Sequence, residues 1–398
     1  MRICLIYDHV FPQTIGGAER WMRDLALRLA ESGHEVTYLT MRHWQPHEPP
    51  SLPNVRVLGV VDAGRVYKEE RRTLGPPLAF GFAVWRHLAR HGHDYDIVHV
   101  ASFPYFSVLA AGLARRGHGY RLAIDWHEVW GRAYWRRYAG PITGTVGWLV
   151  QRRCIRLAHR AYCMSHMHAR RLLAEGYRGE PVVLPGIYAG PVQYSSSDEV
   201  DRSLIMYAGR HVREKRIDAL VRGFARAQEK RPDLRLELFG DGPDSGRILG
   251  LIRELGLGQF VRLEGRRPED EVASAMTRAA CLATASEREG YGLVVVEAAA
   301  HGTPSVVVEG PENAATELIT DGLNGAIAPS ARPDDVAAAI LTVVDGGARL
   351  RASTAKWFDQ NAERLRIERS LELVAGDYEA ANPQLASKGA SSPSGAVT

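Results

Sequence analysis

Two spacings of apolar residues alternate along this chain: short β-branched runs of strand length, and longer stretches whose apolar positions recur three and four apart. Arg2 to Tyr7 reads as a buried first strand, followed by Asp8 and a loop holding Gly16-Gly17-Ala18-Glu19. A helix over Glu19 to Ser32 stops at Gly33, and the strand Glu35 to Thr40 completes a βαβ unit. Strands then follow at Val55 to Val61, Ile97 to Ala101, and Leu122 to Asp125, the last running into Trp126-His127-Glu128. Helices lie around Ala79 to Arg90 and over Ser107 to Arg115. Cys163-Met164-Ser165 reads as a strand end and Pro181 to Pro185 as the last strand of this half. Such alternation predicts an α/β fold with a parallel sheet covered on both faces, and ligands beyond the carboxyl ends of its strands. Asp8, Gly16 and His127 fall there.

Tyr188 to Asp201 carries Gly, Ser and Pro without periodicity and reads as a linker. The alternation restarts with the strand Ser203 to Ala208, the basic loop Gly209-Arg210-His211-Val212-Arg213-Glu214-Lys215-Arg216, and the helix Ile217 to Lys230. Strands at Leu234 to Phe239, Val261 to Leu263 and Cys281 to Thr284 are separated by helices at Gly246 to Leu255 and Glu269 to Ala279, and Gly240-Asp241-Gly242-Pro243 is a turn. Downstream come a strand at Ser305 to Val308, a helix at Thr316 to Thr320 and a hairpin-like turn at Asp321 to Gly325 with strand-forming flanks. A helix over Pro333 to Asp345, a long helix from Ala355 to about Ala380 and a small, polar, disordered tail end the chain.

The stretch Ala285 to Pro304, ASEREGYGLVVVEAAAHGTP, carries the densest candidate chemistry. Val294-Val295-Val296 alone allows a buried strand; Ala298-Ala299-Ala300 followed by Gly302 and Pro304 favours a helix opened by Gly292. Glu289 then lies in the loop at the helix mouth, and Glu297 inside the helix faces the same space. The amides of Tyr291, Gly292 and Leu293, with the positive end of the helix dipole, suit a diphosphate, and the two carboxylates suit sugar hydroxyls. In the basic loop, Arg210 can fork onto phosphate oxygens while Lys215 supplies a point charge, although such a loop can equally be solvated. The Gly16-Gly17 pair allows close approach of an anion, and a plain tight turn explains it equally well. It is not the dinucleotide fingerprint, which disfavours an oxidoreductase.

At 398 residues, 45% hydrophobic and 24% charged, the chain suits two globular domains. Fifty basic against 46 acidic residues give a formal charge of +4, which does not argue for nucleic acid. The N-terminal run is broken by Asp8 and too short for a signal peptide or span, and the four cysteines show no metal-ligand spacing, so buried thiols in a cytoplasmic protein are expected. From Val129 to Tyr162 the chain interleaves Trp, Tyr and Arg. This is either a surface for an acceptor or a membrane, or a solvated helix with arginine stems packed along its sides.

The ordered set GGAE, DWH, GRHVREKR, FGDGP, EREGYGLVVVE and GTP resembles the retaining glycosyltransferases of family 4, over roughly Arg2 to Tyr378. The resemblance implies a GT-B fold: two Rossmann-like doubly wound domains facing an interdomain cleft. It places an acceptor-binding domain over residues 1–187, completed by a C-terminal helix at about 357–380, a linker at 188–201, a nucleotide-sugar domain at 202–356, and a tail at 381–398. It implies transfer of a sugar from a nucleoside diphosphate to an acceptor hydroxyl on a glycan, lipid-linked or small-molecule acceptor, without metal or other cofactor. His127, Arg210, Lys215 and Glu289 would be catalytic. Gly16, Gly17, Gly209, Arg210, Lys215, Glu289, Gly290, Tyr291, Gly292, Leu293 and Glu297 would bind the donor, and Asp8, Glu19, Trp130 and Ser165 are acceptor-side candidates. Pro185-Gly186-Ile187 stands where the family usually has Pro-Asn-Gly, so the contact of that Asn is missing. A sugar-nucleotide epimerase or hydrolase, or an idle sugar-nucleotide-binding module, are the alternatives, and peripheral membrane contact is compatible with the basic-aromatic stretch.

Overall fold

Ile3 to Ile6 are all fully buried, which is what a strand sandwiched between two helical layers demands of its side chains. They form β1 (Arg2–Ile6), an interior strand of the first of two parallel sheets. The computed structural model describes residues 1–14, 16–45, 48–64, 67–68, 71–72, 75–157, 159–194 and 200–380. These fall into two compact units, residues 1–163 and 171–187 with the chain from Arg366, and residues 164–170 with 188–365.

In the first unit β1 is joined by β2 (Glu35–Arg42), β3 (Val55–Asp62), the small antiparallel pair β4 (Tyr67–Lys68) and β5 (Arg71–Arg72), β6 (Ile97–Ala101), β7 (Arg121–Trp126), β8 (Arg160–Cys163) and β9 (Val182–Val183). The seven-stranded sheet runs β3-β2-β1-β6-β7-β8-β9, parallel throughout. Helices α1 (Gly17–Glu31), α2 (Gly75–His91), α3 (Tyr105–His118), α4 (Arg132–Ala139), α5 (Pro141–Ile155) and α6 (His166–Ala174) connect the strands.

The second unit repeats the plan. Its strands are β10 (Asp201–Ala208), β11 (Arg235–Phe239), β12 (Val261–Gly265), β13 (Ala279–Ala283), β14 (Arg288–Glu289), β15 (Ser305–Val308), β16 (Glu312–Asn313) and β17 (Gly325–Ala328). The main sheet runs β12-β11-β10-β13-β15-β17, and β14 pairs with β16 alone. Helices α7 (Ile217–Lys230), α8 (Ser245–Glu254), α9 (Glu269–Arg278), α10 (Leu293–Ala300) and α11 (Pro333–Leu365) cover it. Phe224, Leu236, Leu238 and Ile340, all fully buried, anchor its core, each contributing about 1.5–3 kcal/mol.

The last helix, α12 (Ile367–Ala380), returns to the first unit. Asp377 takes Arg160 at 2.7 Å and the Tyr162 hydroxyl at 3.1 Å, and Tyr378 hydrogen-bonds Nδ1 of His99. The single long helix expected from Ala355 is therefore two: its first part ends α11 at Leu365, and α12 starts afresh at Ile367. Helix α11 is itself broken at Gly347, whose φ of 51° no helix interior tolerates. The expected helix at Thr316 is a 3₁₀ turn over Ala314–Leu318. The expected turn at Asp321 to Gly325 is present, with the Gly322 amide donating to the Gly325 carbonyl at 2.9 Å, but it is not a hairpin, because β17 pairs parallel to β15. The linker is pinned where it is described: Tyr188 sits edge-on against Phe358 at 5.8 Å, and the Tyr194 hydroxyl donates to Asp359 at 2.7 Å. Residues 195–199 of it, and the tail at 381–398, lie outside the described residues.

All four cysteines are free and buried, and among the described residues no helix is long and apolar enough to cross a membrane. A guanidinium is packed against the second core. Arg351 donates to the carbonyls of Ala279, Thr277 and His301 at 2.5, 2.9 and 3.2 Å, and to the Thr303 hydroxyl at 2.8 Å. Burial pulls its pKa down to about 10, still charged at neutral pH. Arg351→Leu leaves those acceptors dry and is expected to destabilise the protein by about 3 kcal/mol, seen as a lower calorimetric melting temperature. An unchanged melt overturns the role.

Candidate functional site

In the second unit the loop after β10 is locked to the loop after β11 by backbone contact. A Cβ on Gly240, whose φ is 120°, would lie 1.9 Å from the Gly209 carbonyl oxygen, and one on Gly242 would lie 2.3 Å from that of His211. Only glycine fits either place, so the FGDGP run read as a turn is also the wall that shapes the basic loop. His211 donates its amide to Asp241 at 3.0 Å and places Nδ1 2.9 Å from the Ser245 hydroxyl; burial holds its pKa below the ordinary value. Arg210 follows Gly209 with an exposed side chain, its carbonyl held by the Tyr207 hydroxyl at 3.2 Å.

Arg213–Lys215 then form a 3₁₀ turn, and Arg216 takes a left-handed φ of 45° to start α7. This turn aims Lys215 at Glu289, with Nζ 2.6 Å from Oε1 and both side chains largely buried. The two loops are stitched beside that pair. The Glu287 amide donates to the Glu214 carbonyl at 2.8 Å, Arg288 meets Glu214 at 3.5 Å and Arg216 meets Glu287 at 3.6 Å. Burial first, then the Glu289 carboxylate, pushes the Tyr207 hydroxyl above its ordinary pKa, which marks Glu289 as a charge close to the β10 end.

Gly292 caps α10 with a φ of 100°, and a Cβ there would stand 2.6 Å from that of Ala315. The helix thus opens where it was expected to open, with Tyr291 buried beside it and Glu297 half-buried one turn in. Its first amides have no intrahelical acceptors. The residue missed by sequence is Asn313. It donates to the carbonyls of Val308 at 2.8 Å and Ser286 at 3.3 Å, and accepts the Ala315 amide at 3.1 Å. Asn immediately before a turn of helix was the available signal.

In the first unit, Asp8 is fully buried two residues past β1, its carbonyl 2.9 Å from Nε2 of His43. His127 follows β7. Its ring lies 6.4 Å from that of Tyr7, and Tyr7 lies 5.8 Å from His9, which stands 4.9 Å from His43. Burial holds the His127 pKa below its usual value against the pull of Asp125 and Glu128, so the ring is neutral at pH 7, and its Nε2 is buried with no hydrogen-bond partner among the described residues. Behind it, fully buried Asp125 accepts the Trp21 indole at 2.7 Å and meets Nε2 of His99 at 2.8 Å.

The acceptor-side candidates divide. Glu19 folds back over Gly16, where a Cβ would stand 2.4 Å from its Oε2; this places a carboxylate at the start of α1, while Gly17 faces open space. Ser165 is buried and accepts the His168 amide at 3.3 Å, as a helix cap does. Trp130 is 6% exposed, donates to Glu128 at 2.7 Å and packs 4.7 Å from Trp135, so its ring belongs to an aromatic cluster around Gln151. Arginine stems do line this stretch, with Arg132 and Arg152 stacked 5.2 and 4.8 Å over Trp148.

Asp125 titrates below the usual carboxylate value: burial raises it, and the charge and hydrogen bond of His99, then His127 and Trp21, reverse that. A lowered folded pKa means a stability contribution that is full above 3.8 and lost as pH falls through the folded value. Asp125→Asn should therefore lower stability at neutral pH by about 3 kcal/mol, with the gap to wild type closing only in strong acid. Seven of the eight tryptophans lie in the first unit, so urea unfolding followed by fluorescence reads it. A gap already closed near pH 6 overturns the assignment.

Two family descriptions match the sequence: Glycosyltransferase Family 4 over residues 15–186, and Glycosyl transferases group 1 over residues 195–364. A D-inositol 3-phosphate glycosyltransferase of Actinosynnema mirum is 30% identical over 361 residues, 82% of this chain and 84% of its own. The GtfA subunit of a UDP-N-acetylglucosamine–peptide N-acetylglucosaminyltransferase of Streptococcus parasanguinis is 29% identical over 180 residues; the match covers 44% of this chain and 35% of that subunit's length. Among solved structures, sucrose-phosphate synthase from Thermosynechococcus elongatus superposes with a TM-score of 0.80 at 19% identity, over 96% of this chain and 98% of its own.

Proposed function

Because the chain belongs to the group 1 glycosyltransferases, with a family 4 N-terminal half, we propose that it moves a sugar from a nucleoside diphosphate to an acceptor hydroxyl with retention at the anomeric carbon. The observation that carries the site is the Lys215–Glu289 pair, 2.6 Å apart beside the N-terminus of α10. A departing diphosphate develops negative charge, and cations and amides already in position lower that barrier. Arg210 and Lys215 take the phosphate oxygens, helped by the amides of Gly292 and Leu293. When Lys215 turns to phosphate, Glu289 is released to accept hydrogen bonds from the transferred sugar. Glu297 holds the ribose hydroxyls. Neutral His127 offers its ring nitrogens to the sugar, and Gly16-Gly17 allow close backbone approach of the donor phosphates. The first unit takes the acceptor, with Asp8 among the groups that meet its hydroxyls.

A uracil nucleotide is the donor proposed first, on the strength of the relative that uses UDP-N-acetylglucosamine. UDP should raise the melting temperature of the protein and GDP should not, because a ligand of the native state alone stabilises it. Arg210→Ala should abolish that shift. Stabilisation by GDP instead would move the donor to a guanine nucleotide and leave the site in place.

Lys215→Ala should cut kcat/KM for transfer by about a hundredfold or more while the melt stays within a few degrees of wild type. Near-normal turnover in this variant would sink the proposed role. Activity unaffected by EDTA is expected as well, since the cations named here are side chains; loss restored by a divalent ion would assign the phosphates to a metal.

A further inference from the structure

The helices α2, α3, α4 and α5 carry nine arginines and not one aspartate or glutamate. Charge segregation on that scale is not needed to pack helices on a sheet. These helices are one contiguous layer of the first unit. Gly81 of α2 lies so close to α3 that a Cβ there would stand 2.6 Å from that of Phe106, and Gly144 of α5 so close to α4 that one would stand 2.2 Å from the Trp135 carbonyl oxygen. The Tyr105 hydroxyl of α3 donates to Gln151 of α5 at 2.9 Å.

The outward side of this layer is apolar as well as basic. On α2, Phe82 is 62% exposed and stands with Trp85, the two rings 5.7 Å apart. Leu113 is exposed on α3. On α5, Ile142, Val146 and Leu149 are spaced four and three apart, which lines them along one helix face, and Ile142 is 80% exposed. Arg86, Arg136 and Arg153, all exposed, stand among them. The carboxylates that border the layer are already engaged: Glu175 by the Trp148 indole and Arg152, Asp94 by His91 and His93.

We infer that this layer docks the protein on an anionic lipid surface, with the large apolar side chains entering the headgroup boundary and the arginines meeting lipid phosphates. Both halves of the arrangement are needed. Exposed aromatic and aliphatic side chains gain from an interface that is apolar on one side, while guanidinium groups on flexible stems gain from the negative potential above it. A protein partner would present hydrogen-bonding backbone and mixed charge, and this surface offers no carboxylate to meet it. The surface stands on its own and does not depend on which sugar nucleotide the second unit takes.

Flotation of the full chain with vesicles tests it, using phosphatidylcholine alone against phosphatidylcholine with about 30 mol% phosphatidylglycerol. The chain should float with the anionic vesicles only, and less as salt is raised. The variant Phe82→Ser/Ile142→Ser/Leu149→Ser should lose about tenfold in vesicle affinity. Arg86→Gln/Arg136→Gln/Arg153→Gln should lose about a hundredfold, and these exposed positions carry the test if the serine variant fails to fold. Stabilisation by UDP should be the same in both variants as in wild type, so a failed donor assignment and a failed docking assignment give different results. Flotation with neutral vesicles alike, no flotation, or unaltered flotation of the arginine variant overturns the inference. So does a dimer in solution that the serine variant disperses, which assigns the layer to a second copy of the chain.

Discussion

Parallel pairing is the constraint on which everything else here depends. When every strand of a sheet runs the same way, every residue that follows a strand emerges at the same edge, whatever its distance along the chain. In the second unit this brings the loops after β10 and β13 together, so that Lys215 and Glu289, 74 residues apart, share a hydrogen bond. In the first it brings the loops after β1 and β7 together, so that the Tyr7 and His127 rings lie tilted against each other. Loops at such an edge are costly to order, and here backbone contacts do it: Gly240 and Gly242 sit where any side chain would strike a carbonyl, and Asn313 holds three backbone groups at once.

A preformed ion pair has two consequences for a site of this kind. It keeps a lysine and a glutamate in place without ligand, at little net stability because each is desolvated by the other's loop. In the proposed reaction it makes anion binding an exchange rather than an addition: Lys215 would change partner and Glu289 would be released to meet hydroxyls. On that proposal the contact that holds the two loops together would also be the resting state of a binding group.

Much of this was legible in the chain. Strands buried on both faces must be written in β-branched runs, and helices between them in three-and-four spacing, so their order could be read directly. Ala298-Ala299-Ala300 and Gly302 were enough to make α10 a helix in spite of three valines. What could not be read is pairing at a distance. His99, Asp125 and Tyr378 meet across 279 residues, and nothing local marks a histidine inside β6 as the partner of a tyrosine in α12. Arg351 was more nearly visible: with Thr354 and Phe358 it falls on the core-facing stripe of α11, where a charge is out of pattern. Nor could the surroundings of Trp130 be read, since an aromatic among arginines looks the same in sequence whether or not its indole is tied to a neighbouring carboxylate, here Glu128, inside an aromatic cluster.

The return of α12 to the first unit bears on how the protein is made. Ribosomes release the chain from its beginning, and a unit folds when its last essential segment has emerged. The second unit, nearly continuous from Tyr188 to Leu365, is complete before the first, although the first is synthesised earlier. Until Asp377 and Tyr378 arrive, Arg160, Tyr162 and His99 have no lid, and the face of β6 to β8 that they occupy stands open to other chains. The part of the protein born first is the part that matures last.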